Sequence, residues 1–380
     1  MIYLMLYVAQ MNIYLAGGAV RDLLLGRKLS DRDYLVMNSS KEEFQARFPK
    51  ATEVGHSFPI FLLERQEYSF PRAHRIEDEL ESRDLTVNAM LLDSEGNLFC
   101  HPNSLQDLHN RSLRPTSRQA FIDDPLRVFR AARFWAKMPE FTPHDELIET
   151  MRFIARKNLL KDIAPDRIGQ ETRKALKTNA PGNYLRLLSQ TDCLTPWFSE
   201  FKDCLNIPAG PLPYHDSSVI EHTARTMDCV AGDELCVWMA LCHDIGKSTT
   251  DREKLPTHHG HDRVGIQMAS RLARRIRMPN TFDIAGSKAA EWHMIAGRYP
   301  ELRPGTKVDL LYDLHRTRTL EPLFELVQAD MDEDYSQRAK RDLQKILSVK
   351  LTPQEMNQGT ESGKRLRELR AQTLSKRNRK

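Results

Sequence analysis

Asp31 and Asp33 stand one residue apart in Ser30-Asp31-Arg32-Asp33-Tyr34-Leu35-Val36, shortly after a Gly17-Gly18 pair. In extended backbone, residues i and i+2 point to the same face, so these two carboxylates project together. Two anionic groups this close are costly unless a cation sits between them, and carboxylate oxygens suit a hard divalent ion such as Mg²⁺. A Gly-Gly turn lets backbone N–H groups come close to an anion. Metal-binding acids beside a phosphate cradle imply chemistry on a nucleoside triphosphate. Either half alone reads as well as a solvated loop; their proximity favours function.

The elements around these residues read as mixed α/β from residue 12 to about 115. Asn12–Ala16 is a short strand running into the glycine turn, Val20–Leu25 a helical turn closed by Gly26, and Arg32–Met37 a second strand. Ser39-Ser40 caps a helix with Glu42 and Glu43 in its first turn. Phe58–Leu63 and Glu67–Phe70 read as a hairpin, and Asp93–Gly96 as a turn before Asn97–Cys100. After about residue 119 the pattern becomes helical. Asp123–Lys137 is strongly periodic, Pro143–Lys157, Ala164–Leu176 and Gly182–Leu188 follow, and from Val219 helices are broken at Pro256, Pro279, Pro304 and Pro353. The expected fold class is α+β: a small mixed sheet domain followed by a long all-helical body.

Composition narrows the classes. The formal charge is only +4, from 56 basic and 52 acidic residues among 380, which does not argue for a nucleic-acid partner by itself. Its placement is more telling: Lys364, Arg365, Arg367, Arg370, Lys376, Arg377, Arg379 and Lys380 crowd the end against Glu368, and Arg271, Arg274, Arg275 and Arg277 form a second cluster. The six cysteines contain no CxxC pair, so neither a zinc ribbon nor a disulfide framework is expected, and a reduced, cytoplasmic protein fits. No run of eighteen apolar residues predicts a membrane span. Met1–Gln10 is apolar but lacks a basic leader and a cleavage site, so it reads as an extension, with Met1 or Met11 as the start.

Five motifs occur in an order that resembles class II tRNA nucleotidyltransferases, the CCA-adding enzymes and their relatives. They are Gly17-Gly18-Ala19-Val20-Arg21-Asp22, the Asp31/Asp33 pair, Arg83-Asp84-Leu85-Thr86-Val87-Asn88-Ala89, Asp107-Leu108 with Arg114, and Asp123-Asp124-Pro125-Leu126-Arg127. The resemblance covers about residues 11 to 335. It implies a polymerase-β-like nucleotidyltransferase head in which Asp31 and Asp33 hold Mg²⁺, Glu67 assists, and Gly17, Gly18 and Arg21 cradle phosphates. Arg83, Asp84 and Asn88 correspond to the ribose-reading motif, with Ser82 where the family has a first arginine. Asp124 and Arg127, three apart at an expected helix start, share a face. There an aspartate accepts from the exocyclic amine of C or A while an arginine donates to the ring, so the pair selects those two bases without a template. Asp123 stands for the family's glutamate; Arg130 and Arg133 continue the face towards base or phosphate, or towards solvent.

Between Arg72 and Arg83 lie only Ala73 to Ser82, where CCA-adding members carry a longer flexible loop. The short connection resembles CC-adding members, which leave the final A to a separate A-adding enzyme. Further on, His222, Cys242-His243-Asp244-Ile245-Gly246-Lys247, His258-His259-Gly260-His261-Asp262 and Glu291-Trp292-His293 resemble the HD phosphohydrolase superfamily. That likeness implies a divalent ion, Mn²⁺, Ni²⁺ or Co²⁺, on His222, His243, Asp244 and Asp330, with His258, His259 and His293 as further ligands or phosphate contacts and Lys247 neutralising phosphate. Met294 stands where related chains have an acid, and Asp332 and Asp334 crowd Asp330.

The expected domains are 11–118 (catalytic head), 119–205 (helical neck for base recognition and RNA binding), 215–335 (HD-type) and 336–380 (basic tail). The expected partners are the tRNA acceptor end, CTP and ATP, in a monomer or homodimer. Four readings compete with CC addition: a full CCA-adding enzyme, a poly(A) polymerase, a non-catalytic RNA-binding module, and a stand-alone HD phosphohydrolase whose head serves only for RNA docking. The histidine set argues against the polymerase, and the intact Asp31, Asp33, Asp124 and Arg127 argue against decay.

Overall fold

A computed structural model describes residues 11–29, 32–54, 60–71, 73–212 and 216–375. The expectations for Met1–Gln10 and for Lys376, Arg377, Arg379 and Lys380 lie outside them. The chain forms two compact units. One runs to Ala131 and includes Glu140–Leu159; the other holds Ala132–Pro139 and everything from Leu160.

The first unit is built on a mixed sheet. Its strands are β1 (Asn12–Ala16), β2 (Asp33–Met37), β3 (Thr52–Val54), β4 (Ile60–Leu63), β5 (Gln66–Ser69), β6 (Met90–Leu92) and β7 (Leu98–Cys100), in the order β3-β4-β5-β2-β1-β6-β7. β2 is central, and both of its faces are covered. Leu35 and Met37 join Tyr14, Ala16, Ala89 and Leu91 in one apolar cluster, while Val36 points the other way to Phe44, Ala51 and Phe61. This is the period-two alternation of a strand buried on both sides. Helix α1 (Gly18–Leu24) follows the glycine turn, and α2 (Lys41–Arg47) starts in a reciprocal cap between Ser40 and Glu43. α3 (Ile76–Glu81) buries Leu80 in the cluster around Leu35. α4 (Ser104–His109), α5 (Arg118–Asp123) and α7 (Asp145–Arg156) complete the unit, and α6 (Arg127–Lys137) begins in it and ends in the second.

One sequence expectation fails here. Asp123 does not open a continuous helix. α5 ends at Asp123, Asp124 has non-helical dihedrals of φ −138° and ψ 89°, and α6 starts only at Arg127. Pro125 explains the break, since the residue before a proline is driven out of the helical region.

The second unit is helical: α8 (Pro165–Leu176), α9 (Gly182–Gln190), α10 (Val219–Cys229), α11 (Glu234–Cys242), α12 (His261–Arg275), α13 (Asn280–Ala296), α14 (Pro304–Thr317), α15 (Leu320–Met331), α16 (Ser336–Ser348) and α17 (Thr360–Ser375). Every residue of α11 from Cys236 to Cys242 is buried, so it is a central helix, apolar all round, rather than an amphipathic one. Gly246, just beyond it, allows a close approach: a Cβ there would lie 2.1 Å from the carbonyl oxygen of His261. In the basic tail, Arg367 pairs with Asp309, Arg365 with Glu355 and Lys364 with Glu361, while Arg370 is buried over the Tyr312 ring. Its described cations are thus largely engaged within the fold. No helix among the described residues is long and apolar enough to cross a membrane.

Candidate functional sites in the sheet domain and the helical unit

Strand register brings the head acids together. Ala16 lies opposite Asp33 across β1 and β2, and Asp33 lies beside Glu67 across the parallel pair β2 and β5. The neighbouring residues settle which face they use. Tyr34 and Tyr68 stack at 4.9 Å on the Val36 side, so Asp33 and Glu67, each one residue earlier, share the opposite face. Both are exposed, Asp33 at the start of a strand whose interior is buried and Glu67 as the second residue of β5. Asp31 lies outside the described residues. Two in-register carboxylates offering only oxygen atoms suit a hard divalent ion.

The glycine turn follows directly from Ala16. Gly17 has φ +64°, and a Cβ on it would crowd an Arg83 guanidinium nitrogen at 3.2 Å. Arg21 is 1% exposed, and its guanidinium donates to Asp22 and to Asn88 Oδ1. It holds the turn against the 83–89 segment. Asn88 in turn donates to Asp84 Oδ1, which also accepts from the Leu85 N–H. Arg130 donates twice to Asp84 Oδ2, at 2.9 and 2.6 Å. Burial works to raise the Asp84 pKa, but the Arg130 charge and these hydrogen bonds prevail and hold it well below the usual carboxylate range. Arg127 is buried and donates to the Arg83 carbonyl at 2.9 Å. Thr86 donates to Asp107, which Arg114 also grips, so the segment is braced from behind.

Three expectations for the arginine face therefore change. Asp124 is half-buried at the α5–α6 junction rather than one turn before Arg127 in a shared helix; the two are linked by the Arg127 N–H to the Asp124 carbonyl, 3.0 Å. Arg130 is paired with Asp84 and stays partly exposed. Arg133 lies in the second unit, donating to Glu171 at 2.6 Å and packing over Phe134. Arg130 and Arg133 on one helix diverge because each meets a different buried carboxylate.

The second cluster is in the helical unit. α10 supplies His222, the end of α11 supplies His243 and Asp244, the first residue of α12 is His261, α13 carries His293 and α15 carries Asp330. His222 Nε2 is 3.0 Å from Asp330 Oδ1 and 3.3 Å from Asp244 Oδ2, and His243 Nε2 is 3.2 Å from Asp244 Oδ2. On the other side, His261 and His293 place Nε2 at 3.3 and 3.4 Å from Asp244 Oδ1. Two triads, His222-His243-Asp244 and Asp244-His261-His293, thus have metal-binding geometry and share Asp244. The Nδ1 atoms of His243, His261 and His293 face the carbonyls of Ala240, His258 and Ala289 at 2.7, 2.7 and 2.9 Å. That partnership assigns the proton to Nδ1 and leaves the Nε2 lone pairs converging on the centre.

Asp244 Oδ1 and Asp330 Oδ1 are buried without a well-directed hydrogen bond among the described residues. Converging nitrogen lone pairs and orphaned carboxylate oxygens fit a borderline divalent cation. Burial disfavours charge on His222, but Asp244 and Asp330 outweigh it and raise its pKa to about 9. A proton thus occupies ground that an ion would contest. Lys247 is buried, with Nζ 2.6 Å from Asp244 Oδ2 and 2.7 Å from the Ala209 carbonyl. His258 is taken up by Thr250 and the Pro208 carbonyl, and His259 is exposed, so neither joins the cluster. The residue missed as a ligand by the sequence reading is His261. Its signal was a second His-Asp pair opening a helix, hidden by the adjacent His258 and His259.

Three family models match this arrangement: the poly A polymerase head domain over residues 13–64, the probable RNA and SrmB-binding site of polymerase A over 140–205, and the HD domain over 219–331. The order of these three matches is consistent with a class II tRNA nucleotidyltransferase that carries an HD domain. Solved structures share the fold. A tRNA-processing enzyme in an apo form matches with a TM-score of 0.62 at 20% identity, over 95% of this chain and 92% of the other. The Bacillus stearothermophilus CCA-adding enzyme in complex with CTP matches at 0.62 and 22%, over 88% and 77%. The Thermotoga maritima CCA-adding enzyme complexed with tRNA matches at 0.61 and 17%, over 97% and 88%. The exposed Asp33 lies within the head model's segment and Glu67 just beyond it, and the buried cluster lies within the HD model's segment.

Proposed function

We propose that this protein transfers CMP from CTP, without a nucleic-acid template, to the 3′-hydroxyl of tRNA. The observation that carries the reading is the row Ala16–Asp33–Glu67, which sets two exposed carboxylates beside the Gly17-Gly18 turn. Asp31 and Asp33, with Glu67 assisting, would hold Mg²⁺, which would supply acidification of the 3′-hydroxyl and neutralisation of the triphosphate. The chain's own residues position the reactants. The Gly17-Gly18 backbone approaches the phosphates, and Arg21 with Asn88 stiffens that turn. Arg83, Asp84 and Asn88 frame the ribose, and Asp124 with Arg127 reads the base edge. The 3′-oxygen bonds to the α-phosphorus as the bond to pyrophosphate breaks, a reaction governed by alignment and charge. In this reading residues 11–118 are the catalytic head, 119–205 the neck, 215–335 the HD-type domain and 336–380 the tail, and the protein works in the cytoplasm.

Two C residues are the proposed product, with the final A left to a separate enzyme. Supporting this, the short 73–82 connection includes a helix whose Leu80 is 4% exposed in the sheet's core. A segment so anchored is a poor lever for reshaping a pocket from C to A. The buried cluster favours a second activity, metal-dependent hydrolysis of a 2′-phosphate or 2′,3′-cyclic phosphate, with Ni²⁺, Co²⁺ or Mn²⁺ on His222, His243, Asp244 and Asp330. Incorporation on tRNA lacking its 3′ terminus, with CTP, ATP or both, tests the main reading at single-nucleotide resolution. Growth that stops after two C, and no A on an acceptor ending in CC, is expected. Efficient A addition would make this a full CCA-adding enzyme, and no addition would overturn transfer altogether.

A further inference from the structure

The Arg271–Arg277 cluster divides in two once folded. Arg275 pairs with Glu200, and Arg274 with Asp283 at 2.8 Å. Arg271 and, across the groove on α14, Arg316 have no carboxylate partner among the described residues, and both are exposed. They border an open groove of about 690 Å³ formed by α12, α13 and α14. Ile266 and Ile284 line it with apolar surface, and Ser270 and Asn280 add hydrogen-bonding groups. Lys288 is tied to the groove's own Asp313 at 2.6 Å. Two acids thus offset two of the four cations, leaving Arg271 and Arg316 as the uncompensated charge.

This groove is separate from the histidine cluster. On α12 its residues fall roughly 140–280° around the helix from His261, and on α13 Ile284, Ser287 and Lys288 fall roughly 120–220° from His293. The two faces of the same helix pair therefore present different chemistry: buried imidazoles on one, arginines on the other.

We infer that the groove holds the phosphodiester backbone of the bound RNA, an inference that rests on the transfer reading. Guanidinium forks match phosphate oxygens, and unpaired ones lose no internal ion pair on binding. A small-molecule site encloses most of its ligand. This groove is open, and the side chain of Arg274 at its rim is 77% exposed. That geometry suits a polymer passing across more than a molecule held inside. The apolar lining gives a sugar or base a place to rest beside the charges.

The test measures binding of full-length protein to a tRNA transcript lacking its 3′ terminus, over a salt series, for wild type, Arg271→Gln/Arg316→Gln and Arg271→Lys/Arg316→Lys. The Gln pair is expected to weaken binding by about tenfold or more at low salt and to flatten the log–log salt slope by roughly 1–2. The KM for tRNA should rise accordingly, while the KM for CTP stays. The Lys pair should keep most of the slope. An unchanged affinity and slope in the Gln pair would overturn the inference. So would arginine-dependent binding of CTP or inorganic phosphate in the groove without any change for tRNA, which would make it a small-anion site. Wild-type protein that binds tRNA with the arginine-dependent slope yet adds no nucleotide would instead overturn transfer and leave the groove standing.

Discussion

In the proposed reading the head acids and the histidine cluster would each bind a divalent ion, in opposite ways. Asp33 and Glu67 sit exposed and in register on neighbouring strands. His243, Asp244 and His293 are at most 1% exposed, and backbone carbonyls orient both imidazoles. The exposed pair has room for a polyanionic substrate to arrive with its own ion, and its carboxylates stay hydrated without one. The buried cluster has no such reservoir. Its ligands confront one another unless a proton or a metal fills the space. One site is therefore assembled by substrate, and the other by folding.

The sharpest way to break this contrast is Asp33→Ala. Removing an exposed ligand should lower CMP incorporation by about a thousandfold or more, while the thermal transition and the metal content of the buried cluster stay as in wild type. Elemental analysis of the purified variant checks the second half. Loss of the buried ion together with activity would mean the two sites are not independent.

The next test acts on the other side. Protein stripped by a chelator and then saturated with Ni²⁺ or Mn²⁺ should gain about 3–4 kcal/mol of stability at 100–1,000 times the dissociation constant, read by calorimetry. Mg²⁺ at the head should produce no comparable shift. Asp244→Asn should abolish the gain, because Asp244 belongs to both triads. A transition that does not respond to the metal would mean the cluster is satisfied by protons and Lys247 alone.

The smallest effect expected belongs to a region between these extremes, the Asp84–Arg130 pair. Asp84 is 5% exposed but the Arg130 side chain keeps 35%. Arg130→Met leaves a buried carboxylate without its cation and should cost about 2 kcal/mol, less than the loss of a fully buried pair. The sign with pH follows from the depressed pKa of Asp84. The pair's contribution is complete above about pH 4 and is lost as pH falls towards the folded-state value. The difference between wild type and variant, followed by urea unfolding, should therefore shrink in acid.

Much of the head could be read from residues in order. The strand around Leu35, the cap at Ser40 and the Gly17-Gly18 turn are local signals, and each stands where the sequence put it. Long-range partners were another matter. That Arg21 turns inward to Asn88, Arg130 to Asp84 and Arg133 to Glu171 depends on which carboxylate the fold brings near, and spacing along one helix carries no such information. Pro125 was visible, yet the periodicity on either side masked its effect on Asp124. The cluster shows both sides. His243-Asp244 announces itself as adjacent residues. His261 was one of three crowded histidines, and only the packing of α12 against the chain at Gly246 decides which one faces Asp244.

The burial of α11 has an evolutionary consequence. His243 and Asp244 terminate the helix around which the second unit is packed, so their side chains are part of its interior as well as its chemistry. A lineage that no longer needed the proposed hydrolysis would not be free to shed them, since most replacements would leave a void or a stranded charge at the centre of the unit. Drift would act first on the rim. An intact His-Asp pair in a descendant chain would then testify to the architecture, and the residues at the mouth of the cluster would keep the record of its activity.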